Sequence, residues 1–530
     1  MTFYAARPAT DAKKLRPRRG ALALAVLGAG VVLSGCSVAN SGAATGGGAA
    51  AASDTLRVVL QQEPPTLEPC ESNLTSTGVV DRSTVTEPLV ERNPSTGELE
   101  PKLATEWSSE DNKVWTFKLR EGVKFHDGSA FTAEDAAATI DRAVNSKLGC
   151  NVEGYVFGDD DLGVEVVDDT TLTVTAKQAD PILPLRVSFL EVVPAETSAT
   201  EKVREPIGTG PYKLESWDAG QKITLARFDG YWGEQPAYAK AEYQWRSEGS
   251  VRAAMITSGE ADIATGLSPE DNIGDLGVPY PNNETVAIRM HNNKAPFNDI
   301  RVRQAVNYAI DKEGIVASLY GGRDKVAAQL VPEGVVGHNA NLSPWAYDAE
   351  KAKQLVAEAK ADGVDTGAQV SLVVRNAQFP KIQELAQVIQ EQLTQAGLNV
   401  KLKMLETSQQ LTYQVRPFAE DEGDIGLMIQ HGNQAGDAAF TVDQYMTTKG
   451  AQSAFGTAEL DALIKKADAA TGEERQKAFE DVFAYQNENV VQFAHISHQT
   501  GMIGKAATVD YTPNSSTGDE LRVAEAKPAQ

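Results

Sequence analysis

A few short stretches of this 530-residue chain set residues of catalytic or metal-binding type close together. His126–Asp127, in "KFHDG", sets an imidazole beside a carboxylate, a couple suited to general acid–base work. His495 and His498, in "HISH", have the i, i+3 spacing that chelates a metal on a helix. Their segment alternates like a strand, which would turn the two rings to opposite faces. "GTGPY" (Gly208 to Tyr212) is glycine-rich but lacks the Lys-Ser/Thr of a phosphate loop. Asp159 to Asp161 lack calcium-loop spacing, and Glu420 to Asp424 read as a solvated acidic loop. The six histidines are scattered, with no HExxH and no nucleophile elbow. Asp127–Gly128 is a turn dipeptide, and Thr132-x-x-Asp135 can cap a helix. "KFHDG" therefore reads as a strand–turn–helix junction. No catalytic residue, resident metal or cofactor is expected, and no enzymatic activity.

The three cysteines carry different chemistry. Lys13, Lys14, Arg16, Arg18 and Arg19 precede a short apolar run that ends in "LSGC" (Leu33 to Cys36). A basic head and an apolar stretch too short to span a bilayer make an export signal, residues 1–35. "LSGC" looks like a lipobox, so Cys36 is the expected lipid attachment site. Residues 36–53, rich in Gly, Ala and Ser, form a flexible tether. Cys70 and Cys150 remain, and outside the cytoplasm an isolated pair is expected to form a disulfide. Cleavage removes six Lys/Arg and one Asp, taking the net charge from −24 to −29. Such a surface repels nucleic acid and anionic lipid, leaving the lipid as the sole membrane contact. A monomer on the extracytoplasmic, periplasmic-side face of a bacterial cell membrane is expected.

Elements that could position a site follow from pattern. With 42% hydrophobic and 23% charged residues, the chain can fill two or three cores. "TLRVVL" (Thr55 to Leu60) reads as a strand. "VWTFKLREGVKF" reads as a hairpin turning at Glu121–Gly122, and "KLESWDAGQKITLAR" as another across Asp218–Ala219–Gly220. "DDTTLTVTAK" is a further strand. From about residue 290 helices alternate with strands. Asp299 and Asp348 are placed to cap helices, and "VSLVV", an amphipathic helix ending at Gly397, and "LNVKLKML" make a βαβ unit. Thr471-x-x-Glu474 is a capping box. After residue 488 strand character returns.

Five segments, in order, carry a resemblance: Val85 to Val144, Pro206 to Gly233, Ser258 to Ile263, Lys294 to Val316 and Tyr347 to Ala359. Together they resemble the extracytoplasmic solute-binding proteins of ABC importers, the large peptide, dipeptide and nickel class. The resemblance implies an α/β, two-lobed periplasmic-binding-protein fold with a hinge, its first lobe carrying an extra α+β subdomain. Lobe I is expected at 54–286 plus 488–530, with the subdomain at roughly 85–205, and lobe II at 287–487. It further implies a ligand enclosed between the lobes and handed to an importer permease. Oligopeptide or dipeptide is the first ligand class. A sugar derivative, a glycoside or a chelated metal is the alternative, and an extracytoplasmic hydrolase a more distant one.

The same resemblance points to ligand-binding candidates. The loop "CESNLTSTG" should face the cleft with Asn73, Thr75 and Thr77. Arg375 lies close to where relatives place a carboxylate-binding Arg, and His291 stands where relatives usually have Asn. Where peptide-binding members carry a Trp and then an Asp for the ligand ammonium, this chain reads "LMIQHGNQAGDAAF", with His431, Asn433 and Gln434 and the nearest acid at Asp437. A fixed ammonium anchor is therefore in question.

Overall fold

The computed structural model describes residues 54–72, 75–93, 96–150, 152–158, 161–271, 273–376, 378–418, 425–430, 432–513 and 521–530. The signal segment, Cys36, the tether, Asn73, Asp159, Asp160, the run 420–424 and His431 lie outside them. So do the side chains of Thr75 and Gln434. No described helix is long and apolar enough to cross a membrane.

The frame is a mixed sheet built around two long antiparallel strands, Gly277–Met290 and Phe493–Lys505. On one side of them lie Ile263–Ala264, Thr55–Leu60, Lys240–Trp245, Lys222–Arg227 and Tyr212–Asp218, in that order. On the other lie Ile425–Gln430, Gln369–Arg375 and Asn399–Leu405. The long strands pair at 277–281 with 500–504, and again from Thr285 with His498. Between these stretches the ladder breaks at Asn282–Glu284, where Asn283 takes a φ of 60°. One sheet is thus divided into two lobes at 282–284 and 499.

That boundary corrects the expected one at the C-terminal side. Residues 488–498 stay with lobe II: Ala494 and Ile496 join the core of Val286, Ile288, Leu372, Val374 and Leu385, while Val490 and Phe493 pack with Phe479 and Phe483. A strand that runs through the break carries no turn or change of composition to mark it.

The βαβ unit forms as its periodicity predicts. Helix Ile382–Gln395 buries Ile382, Leu385, Ile389 and Leu393, and its flanking strands pair in parallel from Gln369↔Asn399 to Arg375↔Leu405. Asp299 accepts from the Arg301 backbone N–H at 2.8 Å, and Asp348 from that of Lys351 at 2.8 Å. Asp135 accepts from the Thr132 N–H at 2.8 Å. Thr471 does precede helix Gly472–Tyr485, but its side chain makes no capping bond.

The subdomain is a four-stranded antiparallel sheet in the order Ala104–Ser108, Val114–Leu119, Thr171–Thr175, Gly163–Asp168. Phe117, Phe125, Phe131 and Leu172 fill its core. The expected hairpin at Glu121–Gly122 does not form. Val114–Leu119 pairs with 104–108 and 171–175 instead, because its Trp, Phe and Leu face finds a fuller partner there. The turn at Gly220, φ 74°, does join Tyr212–Asp218 to Lys222–Arg227. Cys70 and Cys150, buried and 80 residues apart, form a disulfide with Cα atoms 5.4 Å apart, tying the loop after Thr55–Leu60 to this subdomain.

Candidate functional site

In open sheets of parallel strands, ligands sit beyond the carboxyl ends of the strands. Lobe I has such an edge where Thr55–Leu60 runs parallel to Lys240–Trp245 and Ile263–Ala264. Lobe II has one where Gln369–Arg375 runs parallel to Asn399–Leu405 and Ile425–Gln430. The loops leaving these two edges meet: Lys381, six residues past Arg375, pairs with Glu270, six past Ala264, at 2.9 Å. The two edges therefore face each other across the break at 282–284. Farther out, the subdomain touches lobe II, with Phe189 and Phe440 centroids 6.0 Å apart and the Arg186 guanidinium 5.0 Å over the Phe440 ring.

Lobe I offers a braced wall. Arg252, fully buried, donates to the carbonyls of Arg246 (2.6 Å), Ser247 (2.8 Å), Thr265 (3.0 Å) and Gly266 (2.5 Å). One guanidinium thereby fixes the loops leaving two of the three parallel strands. Gln61 and Arg246 stand exposed on that edge and Trp245 half-buried.

Lobe II differs. Arg375 closes its strand half-buried, and makes no hydrogen bond or ion pair with any described residue. Burial lowers its pKa, with Glu284 at the break opposing that shift. Three residues on, both amide atoms of Gln378 are shut from solvent without a partner. Gln410 lies on helix Thr407–Gln414, which follows the neighbouring strand and packs against Gln369–Arg375. It is 3% exposed, and its Oε1 is likewise unpartnered. Neither glutamine belongs to a recognisable sequence motif. Their one sequence signal is position, a polar residue within five of a parallel strand's carboxyl end.

The other sequence candidates have structural employment. Thr77 is buried and donates to the Thr66 carbonyl at 3.0 Å. Asn433, also buried, donates to Leu330 O at 2.9 Å and accepts from the Thr441 hydroxyl at 3.1 Å. Asp437 is 3% exposed and bidentate with Arg475, at 2.7 and 2.8 Å, and accepts from the Ala439 N–H at 2.9 Å. Asp437 therefore braces the start of helix Ala439–Tyr445, and an ammonium would have to displace a buried guanidinium to reach it. In this structure Asp437 and Asn433 are thus both engaged within lobe II.

"KFHDG" and "GTGPY" turn out to be one motif in space. His126 Nδ1 accepts from the Gly208 N–H at 3.3 Å and Nε2 donates to the Gly210 carbonyl at 3.0 Å. Burial lowers the ring's pKa to about 4, so it stays neutral, as one donor and one acceptor require. A Cβ on Gly208 would stand 2.0 Å from Val85 O and one on Gly210 2.4 Å from Thr84 O, so only glycine fits. In "HISH", His498 Nδ1 meets the Thr285 hydroxyl at 2.9 Å beside the break, whereas His495 is buried. Among the described residues no three His, Cys, Asp or Glu side chains gather as ligands for a metal ion.

Comparison with known proteins gives a consistent result. The family described as bacterial extracellular solute-binding proteins, family 5 Middle, matches residues 98–453. The chain is 30% identical over 360 residues to a dipeptide-binding protein of Escherichia coli K12, covering 61% of this chain and 66% of that one. It is 32% identical over 355 residues to a nickel-binding periplasmic protein of the same bacterium, with the same coverage. The match thus spans just under two thirds of each relative's length. Among solved structures, a Listeria monocytogenes ABC transporter substrate-binding protein superposes with a TM-score of 0.77 at 23% identity, covering 90% of this chain and 99% of the other. A Pseudoalteromonas dipeptide-binding protein in complex with Met-Leu superposes at 0.74 and 22%, covering 90% and 100%. These two likenesses speak for the two-lobed fold.

Proposed function

The chain belongs to the bacterial extracellular solute-binding proteins of family 5, and from that premise we propose that it captures an oligopeptide or dipeptide between its lobes and delivers it to an ABC importer permease. It does so from the extracytoplasmic face of the membrane, held there by a lipid on Cys36. The observation that carries this reading is the break at Asn282–Glu284 in a strand shared by both lobes, with two carboxyl edges facing across it. A ligand touching both edges favours the closed arrangement over the open one, and closure is what a permease can recognise. The protein binds and releases; no step of chemistry is assigned to it.

Occupation of Asp437 by Arg475 favours one second reading, a ligand without a free ammonium such as a sugar derivative, a glycoside or a chelated metal. Since no described cluster could hold an ion by itself, a metal would have to arrive within its own chelator. Native mass spectrometry of protein purified from its own cells decides between them. A ladder of peptide masses supports the first reading, and a single non-peptide mass replaces it with the second.

A further inference from the structure

We propose that the side-chain amides of Gln378 and Gln410 form a ligand subsite on lobe II that hydrogen-bonds a peptide group of the bound molecule. This rests on the peptide reading above. The starting observation is energetic. Burying an amide without a partner costs roughly 1–3 kcal/mol by protein mutational measures, and buried side-chain amides nearly always find one. Gln378 leaves both its oxygen and its nitrogen unmatched, and Gln410 its oxygen. Neither is a stray surface contact. Gln378 sits in the loop between Arg375 and the cross-lobe pair Lys381–Glu270. Gln410 sits on the helix that leaves the adjacent parallel strand and packs back on Gln369–Arg375. Both glutamines thus follow the carboxyl ends of neighbouring strands, on the edge that faces lobe I.

The chemistry narrows the ligand. A glutamine amide carries both a donor and an acceptor, so its oxygen can accept from a peptide N–H and its nitrogen can donate to a carbonyl oxygen of the ligand, although a trans peptide group turns its own N–H and C=O to opposite edges. The pairing takes no account of the ligand's side chains and needs no ammonium, which agrees with Asp437 being held by Arg475. The subsite therefore selects molecules with at least one secondary amide. It accepts peptides whose amino end is blocked as readily as those whose amino end is free.

The test uses the folded mature chain and two probes: Ala-Leu, and Ala-Leu N-methylated at its peptide nitrogen, which has lost the donor. Wild type, Gln378→Leu and Gln410→Leu are compared by calorimetric titration and by melting temperature without ligand. Leucine fills a similar volume without polar atoms. Unliganded variants should therefore melt no lower than wild type, whereas a purely structural amide would lower the melting point when lost. Each variant should bind Ala-Leu about tenfold more weakly, and the N-methyl probe should lose about as much on wild type but little further on Gln378→Leu. Acetyl-Ala-Leu should bind wild type within a few-fold of Ala-Leu. If wild type binds Ala-Leu and the leucine variants bind it equally well, the subsite is wrong while the peptide reading stands. If wild type binds none of the three, both fall.

Discussion

Arg252 and Arg375 occupy matching places, each on the carboxyl edge of one lobe's parallel strands, and they are used differently. Arg252 is enclosed by four main-chain carbonyls and holds lobe I's loops rigid. Arg375, with Gln378 close behind it and Gln410 on the next strand's helix, has no hydrogen-bond partner among the described residues. Away from that edge lobe I is mixed: Glu68 receives Arg142 at 2.6 and 2.9 Å and Glu87 takes bonds from Thr209, Tyr231 and Trp232, whereas one oxygen of the fully buried Asp81 has no partner. Buried polar groups that are fully matched tell of architecture. Those left unmatched at a strand edge tell of something the fold is built to receive.

The contrast is broken most forcefully at Asp437. If it belongs with the matched groups, Asp437→Asn leaves Arg475 buried with half its carboxylate pairing, and should cost about 3 kcal/mol or more in urea unfolding. Were Asp437 a ligand anchor instead, stability would barely move, and free-amine peptides would lose affinity while acetylated ones kept it. The next largest effect lies in lobe I. Replacing Cys70 and Cys150 together by serine frees a closure of 80 residues and should cost roughly 2–4 kcal/mol. Both residues sit away from the lobe II edge, so affinity per folded molecule should stay within about twofold. A large drop in affinity at unchanged stability would mean that the loop after Cys70 shapes the ligand site.

Much of the frame could be read from the chain, because its signals are local. Asp299 and Asp348 cap the helices they precede, and the apolar stripe from Ile382 to Leu393 places a helix between two parallel strands. The hinge could not be read so closely, since Phe493–Lys505 passes from one lobe to the other without a residue that announces it. The site was harder still. Asp437 looked available because its partner lies 38 residues away, and nothing local predicts that Arg475 would reach it. Gln378 and Gln410 looked like ordinary polar residues, since lacking a partner is a property of the folded surroundings. Asn73 and His431 lie outside the described residues, and remain proposals for the cleft.

The effect cleanest in sign concerns His126, a matched group with a titratable ring. Burial holds His126, His291, His495 and His498 at about 4, 3, 3 and 3, below the value near 6.5 of a free imidazole. A depressed value means that the stabilising contribution is complete above pH 6.5 and fades as pH falls toward 4, because the unfolded chain takes up protons first. Asp81, Asp324, Asp443 and Asp468 are pushed upward, chiefly by burial, and act in the opposite sense: their contribution is complete at low pH and is lost as pH rises through the raised values. A stability curve of wild type alone mixes the two groups. His126→Gln separates them, since the glutamine amide can still accept from Gly208 N–H and donate to Gly210 O but cannot titrate. The difference in unfolding free energy between wild type and variant should be flat above pH 6.5. Between pH 6.5 and 4.5 it should move in the variant's favour by about 1.4 kcal/mol per unit, the value for one proton. A difference that stays flat down to pH 4.5 would show that the ring is protonated in the fold, and would remove His126 from the matched groups that hold "KFHDG" against "GTGPY".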